Sequence, residues 1–482
     1  MYFFLIFVVL ILITLSIILK ISKYESINKL PGPNLLEVLT FFVFNKSNAD
    51  LYNYIFNLRE RYGPVIKIWI KPFRPILIVS DPKYFEAILG SKVHLHKTKL
   101  YDLLHSIAGD GLGTISDVEK WKSDRIFFNP IFKHKFISTY TNKLKYHIEN
   151  FKEVLYTHEN QPVDVHLITH HCAMYMILEY LLDDNVSVET ASKIVNAVDK
   201  SLDMTLEREY SVIKSNSILF RFTKMYKSWV EVHEFLDKTF MNFIHKHINL
   251  RKSGRTETNS ENKNLMDLLL ENNYSEHEIM SHLKTFVLAG FGTVAKAASF
   301  ALFEIAKRKD IQQKIYEEYL SLAGTNENYV FTFDDIQNLK YTESVIKEAM
   351  RMYPPIPLIE RQLKSPIIIN GVRIPKDIDV VFSITSLHKY NFSNPEIFNP
   401  DRFSPENIGD INPYSYAPFS IGPRNCIGKK IAMIELKYII SHIVKDFTLH
   451  SIQPEHKLEL ATTFNLVSTN GIPVIFKRRE LS

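Results

Sequence analysis

The chain has 482 residues, long for one hydrophobic core, and chains of this size usually divide into domains. Its net charge of +5 is too modest to make nucleic acid the main partner. Two cysteines cannot build a disulfide framework, so the composition demands no oxidising compartment.

Tyr2 to Leu19 is apolar but for Thr14 and Ser16, just long enough to cross a bilayer. A signal peptide would want positive charge before the apolar run and small residues at a cleavage site; the run ends Ile17-Ile18-Leu19-Lys20 instead. Lys20, Lys23 and Lys29 follow, placing the rest of the chain on the cytosolic side. Residues 1–30 therefore read as a single N-terminal membrane anchor and hinge, and 31–482 as the main domain. Leu30-Pro31-Gly32-Pro33 resists helix and strand alike and suits a stiff connection.

Asp50 to Tyr62 has a helical pattern, with Leu51, Tyr54, Ile55, Leu58 and Tyr62 on one face, stopped by Gly63-Pro64. Two β-type runs follow, Val65 to Ile70 and Ile76 to Val79, with Lys71-Pro72 as a turn. His96 to Thr114 reads as loop, rich in glycine. Trp121 and Arg125, at i and i+4, share a helical face. Val163 to His247 reads as several helices with few breakers; Cys172, beside His170 and His171, lacks a second Cys/His cluster and reads as an apolar helix thiol. Leu219, Phe220, Phe222 and Met225, interleaved with Arg221, Lys224 and Lys227, suit a membrane-dipping patch or an ordinary amphipathic helix. Arg251 to Asn264 is a polar surface loop.

Glu276 to Lys307 is a long helical pattern centred on Ala289-Gly290-Phe291-Gly292-Thr293. Each of its two glycines costs a helix about 1 kcal/mol against alanine, which requires a reason in packing or in close approach of a ligand. Glu348 and Arg351 are helix neighbours at i and i+3, and Tyr353-Pro354-Pro355 ends that helix. Phe398-Asn399-Pro400-Asp401-Arg402-Phe403 follows.

The most informative tract is Phe419-Ser420-Ile421-Gly422-Pro423-Arg424-Asn425-Cys426-Ile427-Gly428. Ile427, Ile431, Ile434, Ile439, Ile440 and Ile443 then recur at roughly helical spacing, so Cys426 sits where a loop becomes a helix. Backbone N–H groups there stabilise a thiolate. Flanking glycines let a flat ligand approach, and Arg424 can neutralise an acidic group on it.

Phe419, Gly422, Arg424, Cys426 and Gly428 match F-x-x-G-x-R-x-C-x-G, and the chain thereby resembles the cytochromes P-450. Trp121-x-x-x-Arg125, Ala289-Gly290-x-x-Thr293, Glu348-x-x-Arg351 and Phe398-x-Pro400-x-Arg402-Phe403 extend the resemblance over the whole chain, and Pro418 to Lys430 is most similar to the family-4 fatty-acid and hydrocarbon hydroxylases. The resemblance implies a mainly helical fold with a small β-rich lobe, and haem b held by the Cys426 thiolate with Phe419 packed beside the sulfur. It implies Trp121, Arg125 and Arg424 at the haem, Gly290, Gly292 and Thr293 in a helix bulged to admit dioxygen, and Glu348, Arg351 and Arg402 in a buried structural network. It places His96 to Thr114, Ile356 to Ile359 and Phe464 to Val467 as pocket walls.

The expected activity is insertion of one oxygen atom into an apolar substrate such as a fatty acid. Electrons would come from NADPH-cytochrome P-450 reductase, with cytochrome b5 as a further donor, at the endoplasmic reticulum membrane. Lys429, Lys430 and Lys437 suggest a basic face for an acidic redox partner, or simply a solvated helix face. Two departures matter. Gly292 stands where the family carries the acid that helps deliver protons for O–O cleavage. Thr293 with ordered water could replace it, because glycine leaves space. Ala289 replaces the glutamate that links covalently to haem in many fatty-acid hydroxylases. The missing acid also leaves room for a haem-thiolate isomerase or dehydratase of lipid peroxides, or for a haem protein of little activity.

Overall fold

The computed structural model describes residues 24–44, 48–71, 74–182, 186–209, 214, 216–253, 264–324, 326 and 329–480. Tyr2 to Leu19, the Pro72 turn and most of the polar loop before Asn264 lie outside the described residues. The chain forms two compact units.

One unit holds the residues up to Thr98, Leu358–Ser393 and Asn412–Asn425. Its sheet has four strands in the order Val65–Lys71, Arg74–Val79, Asp379–Ser383, Leu358–Gln362. The first pair is the antiparallel hairpin visible in sequence, with Val65 opposite Val79. The central pairing is parallel, Ile76 opposite Asp379, and joins segments far apart in the chain. Helix Asn48–Tyr62 covers the sheet, and Ile55, Leu58, Ile66, Ile68, Ile78 and Val381 make its core. A short hairpin, Ile367–Ile369 with Val372–Ile374, completes the β content of this unit.

The other unit is mainly helical. Its axis is the helix Glu276–Ala306, opened by a capping box between Ser275 and Glu278. That helix is long and apolar enough to span a membrane, yet 78% of its most apolar window is buried inside the protein, so it is a core helix. Helices Val165–Leu182, Lys340–Met352 and Lys429–Asp446 pack on it. Two small sheets lie in this unit, one of Pro162–Asp164, Pro473–Arg478 and Phe447–His450, the other the hairpin Leu460–Thr462 with Leu466–Ser468.

Two expectations change. His96 to Thr114 is not all loop: Leu100–Ala108 is a helix, because Leu100, Leu103, Leu104 and Ile107 hold helical spacing that the following glycines obscure in the sequence. Lys437 is not on a solvated face; it is buried, with Nζ 2.5 Å from Glu343 Oε2. Lys429 and Lys430 are exposed. Cys172 is buried with its sulfur 3.9 Å from the His147 carbonyl, as an apolar helix thiol would be. Ile218, Leu219 and Phe222 stand exposed, as do Leu35, Leu36 and Leu39 in the other unit.

Candidate functional site

The sequence-predicted residues divide between the two units. In the helical unit Gly428 is the N-cap of Lys429–Asp446 and Cys426 stands just ahead of it. Burial pushes the Cys426 thiol up; the backbone N–H groups of Gly428 and Lys429, which donate to the sulfur, and the charges of Arg125 and Lys429 pull it back. Cys426 nevertheless carries exposed surface. A cysteine with exposed surface at a helix start, its sulfur held by backbone donors, is what a flat prosthetic group ligated by a thiolate requires. A Cβ on Gly428 would sit 3.8 Å from the sulfur, on the cysteine's own side.

Helix Val118–Phe128, capped by the Asp117 carboxylate, carries Trp121 and Arg125. Trp121 is buried. Arg125 is half-buried, its guanidinium lowered by burial and sustained by the nearby Cys426. The structure thus brings Arg125 within electrostatic reach of the cysteine across 301 positions of sequence (426 minus 125).

The Glu276–Ala306 helix runs unbroken through both glycines, so the expected bulge is absent among the described residues. The Thr293 hydroxyl donates to the Ala289 carbonyl at 2.7 Å, one turn back. Ala289 is exposed and Thr293 half-exposed on a helix otherwise almost wholly buried, so this stripe borders open space. Gly290 has a different reason for being glycine: a Cβ there would meet Ile177 Cδ1 and Cγ1 at 2.7 Å, so it admits the neighbouring helix Val165–Leu182. Gly292 does have space; a Cβ would lie 3.6 Å from Asn465 Nδ2 and 3.8 Å from Lys296 Nζ. Asn465 belongs to the Phe464 to Val467 segment expected as a pocket wall, which therefore does reach this helix.

Glu348, Arg351 and Arg402 come together. Arg351 donates from Nε to Glu348 Oε2 at 2.7 Å and from Nη2 to Oε1 at 3.0 Å. Arg402 Nε reaches the same Oε1 at 3.4 Å, and the Asn399 N–H donates to it at 2.8 Å. Arg351 also donates to the Pro395 carbonyl at 2.7 Å, and Arg402 to the Asn394 carbonyl at 2.9 Å. Glu348 is 0% exposed and Arg351 2%, so this is a buried, fully bonded network and not a surface ion pair.

In the sheet-bearing unit Phe419 is half-buried and Ser420 takes a left-handed φ of 58°. Gly422 has φ 75°, and a side chain on it would run into the Leu89 carbonyl, so only glycine fits. Arg424 is buried and acts on a cationic group that sequence reading missed. Burial holds the Lys97 ammonium well below its ordinary value, and Arg361 and Arg424 press it further down. His96 is lowered by burial, then by Lys364 and Arg424. The signal lay in the basic run His94-Leu95-His96-Lys97, which the glycines after it overshadowed. Cations gathered this closely form a donor set for an anion. Each unit by itself carries features that suit haem: the helical unit an exposed cysteine at a helix start and a half-exposed threonine, the sheet-bearing unit cations of the kind its anionic propionates require.

A family model described as Cytochrome P450 matches residues 30–474. Curated relatives include "Cytochrome P450 4c21" of Blattella germanica, 28% identical over 92% of this chain and 92% of that one. "Cytochrome P450 4V2" of Homo sapiens is 30% identical over 87% of this chain and 83% of that one. In fold the chain is similar to the crystal structure of a cytochrome P450 (CYP102L1), with a TM-score of 0.76 at 21% identity, covering 90% of this chain and 94% of that one. Members of the matched family bind haem through an axial cysteine thiolate and act as monooxygenases, and this chain belongs to the cytochrome P450 family.

Proposed function

We propose that this monooxygenase hydroxylates a fatty acid, hydrocarbon or related lipophile at a membrane surface, with electrons from NADPH delivered by a flavoprotein reductase. Substrate C–H, O2, NADPH and one proton become alcohol, water and NADP+. One oxygen atom enters the C–H bond, and the other leaves as water, whose two hydrogens are the one proton consumed and the hydrogen that NADPH gives up.

When bound, haem supplies the oxygen chemistry, its thiolate ligand favouring O–O cleavage. Cys426 would be that ligand, and the Gly428 and Lys429 N–H groups that donate to its sulfur would stabilise its anion. By the family resemblance, Trp121 and Arg125 of the helical unit would serve the propionates; in the sheet-bearing unit the resemblance gives that role to Arg424 and a place near the ligand to Phe419, and Lys97 adds a further cation there. Thr293 offers a hydroxyl on the accessible stripe, where it can hold a proton or a water. The Glu348–Arg351–Arg402 network would keep the fold around the cysteine rigid. The observation that carries the reading is the exposed Cys426 at a helix start with backbone donors on its sulfur.

The family-4 relatives support a lipophilic substrate. The apolar run Tyr2 to Leu19 and the exposed Ile218, Leu219 and Phe222 support membrane attachment; the endoplasmic reticulum as the site and cytochrome b5 as a second electron donor are what the family resemblance implies. The test is oxygen-dependent product per NADPH consumed, with purified protein, reductase and a panel of C12 to C18 fatty acids and alkanes. Hydroxylated product that disappears in Cys426→Ser upholds the reading. Haem-loaded protein that consumes no NADPH with any of them overturns it.

A further inference from the structure

Two helices of the helical unit meet at a buried acid and a buried histidine. Asp124 lies on helix Val118–Phe128, one turn on from Trp121 and next to Arg125. His282 lies on the core helix Glu276–Ala306. Asp124 is 4% exposed and His282 0%. His282 Nε2 stands 3.6 Å from Asp124 Oδ2. Tyr274, just ahead of the Ser275 cap of the core helix, donates its hydroxyl to Asp124 Oδ1 at 3.0 Å. Each oxygen of the carboxylate therefore faces one group held by the core helix or its cap.

The surroundings are aromatic. The Phe128 ring lies 4.6 Å from His282 and the Phe127 ring 5.1 Å from Tyr274, centroid to centroid. Among the described residues Asp124 Oδ2 and both ring nitrogens of His282 have no hydrogen-bond partner, so the 3.6 Å approach is what the pair offers itself. Polar groups buried in this way are costly unless they face one another. Burial raises the Asp124 carboxyl; the Tyr274 bond and then the Lys120 charge pull it back, while Glu278 and Asp110 raise it. Burial holds His282 at about 4, with Lys120 lowering it further and Glu278 raising it, so the ring is neutral at neutral pH. A neutral ring suits a carboxylate with its proton on Nε2, and that tautomer is assigned from the geometry. Burial and Asp124 raise the Tyr274 hydroxyl, which keeps it a donor. Lys120 Nζ and Glu278 Oε1, 2.9 Å apart, also join the two helices, but both side chains are half-exposed and such pairs are worth little.

We propose that Tyr274 and His282 are positioning residues: by holding the two oxygens of Asp124 they set the height and roll of helix Val118–Phe128, and so aim Trp121 and Arg125 at the anionic groups of haem. The inference rests on the reading that Trp121 and Arg125 serve those groups. A helix turns about 100° and rises about 1.5 Å per residue, so a roll at Asp124 displaces Trp121, one turn back, and Arg125, one residue on, together. Asp124 acts here as a frame and not as a charge. Asparagine fills the same frame, because its carbonyl accepts from Tyr274 and its amide donates to His282 in the other tautomer.

The experiment measures how fast haem passes from the loaded protein to excess apomyoglobin, with no reductase or substrate present. Wild type is compared with Tyr274→Phe, His282→Leu, Asp124→Asn and Trp121→Phe/Arg125→Met, and with Tyr274→Phe added to that last pair. Trp121→Phe/Arg125→Met is expected to lose haem faster than wild type. Tyr274→Phe and His282→Leu are each expected to speed haem loss about tenfold, the scale of a buried acceptor deprived of its donor. Asp124→Asn is expected to stay close to the wild-type rate. Adding Tyr274→Phe to Trp121→Phe/Arg125→Met is expected to change nothing further, because Tyr274 acts through those two side chains; a merely structural role would speed the loss again.

Tyr274→Phe and His282→Leu at the wild-type rate, with the Trp121/Arg125 pair fast, overturn the inference and leave the haem reading intact. If His282→Leu does not fold, Tyr274→Phe, which keeps the ring and loses only the hydroxyl, decides alone. Asp124→Asn as fast as Tyr274→Phe overturns the frame. Tyr274→Phe that adds its full effect in the Trp121/Arg125 background overturns positioning through those residues. A Trp121→Phe/Arg125→Met protein that holds haem as well as wild type overturns the reading of those two residues and the inference with it. None of these rates depends on NADPH, so a failure of the proposed activity is read separately.

Discussion

Gly290 and Gly292 are two residues apart and look alike in sequence, yet the structure assigns them opposite reasons. Gly290 is filled against by Ile177, with no room for a Cβ, whereas a Cβ at Gly292 would make only ordinary contacts with Asn465 and Lys296. Gly290→Ala should therefore destabilise the protein: overpacking costs about 1–3 kcal/mol, more than the roughly 1 kcal/mol that alanine adds to a helix. In an Ile177→Ala background the obstructing atoms are gone and the same change should stabilise. Thermal melts of the four proteins in that cycle check it, and simple additivity would rule out the contact. The helix cost of the glycines was legible in the sequence. Which neighbour each one served was not, because Ile177, Lys296 and Asn465 reach them through packing and not through spacing.

Helix Lys429–Asp446 carries the second prediction. Glu435 is buried on it, accepts the Tyr140 hydroxyl at 2.9 Å, and is pushed up to about 8 by burial, against an ordinary value of 4.5. The folded protein thus holds a proton that the unfolded chain has released between pH 4.5 and about 8, so stability falls as pH rises through that window and levels off above it. Glu435→Gln keeps an acceptor for Tyr140 and should remove this slope, which is at most about 1.4 kcal/mol per pH unit. Denaturant unfolding of both proteins across the window measures it; parallel curves would mean Glu435 is ionised in the fold.

Helix Lys340–Met352 carries the third prediction. Arg351→Ala leaves Glu348 as a buried charge short of a partner, a loss of about 3–5 kcal/mol. It should abolish haem incorporation, read from the thiolate-haem absorbance of the reduced carbon monoxide complex. Arg351→Lys should not rescue it, because an ammonium cannot span both carboxylate oxygens and the Pro395 carbonyl at once. A normal spectrum in either variant would show that the network is dispensable. The Glu348–Arg351 spacing was readable beforehand. Its burial was not, because i, i+3 pairs of this kind are mostly solvated.

For the molecule as a whole, removing residues 1–23 should release the protein from vesicles at high salt while leaving its haem spectrum intact, since Tyr24 and Ile27 are already buried in the fold and the matched family region begins at residue 30. Truncated protein that still sediments with vesicles would assign the attachment to Leu35, Leu36 and Leu39 or to Ile218 and Phe222. The family, the thiolate motif and the long core helix were open to sequence reading, because each is written in a short run whose chemistry or period is local. Lys97 escaped that reading because its partners Arg361 and Arg424 are distant in the chain. The pairing of Ile76 with Asp379 escaped it for the same reason. By itself, then, the sequence determined which residues can ligate, cap and turn, since those properties depend on neighbours within a few positions. Only the tertiary structure decided which cations gather and which glycine has room for a side-chain carbon, since burial and charge are set by segments that only folding brings together.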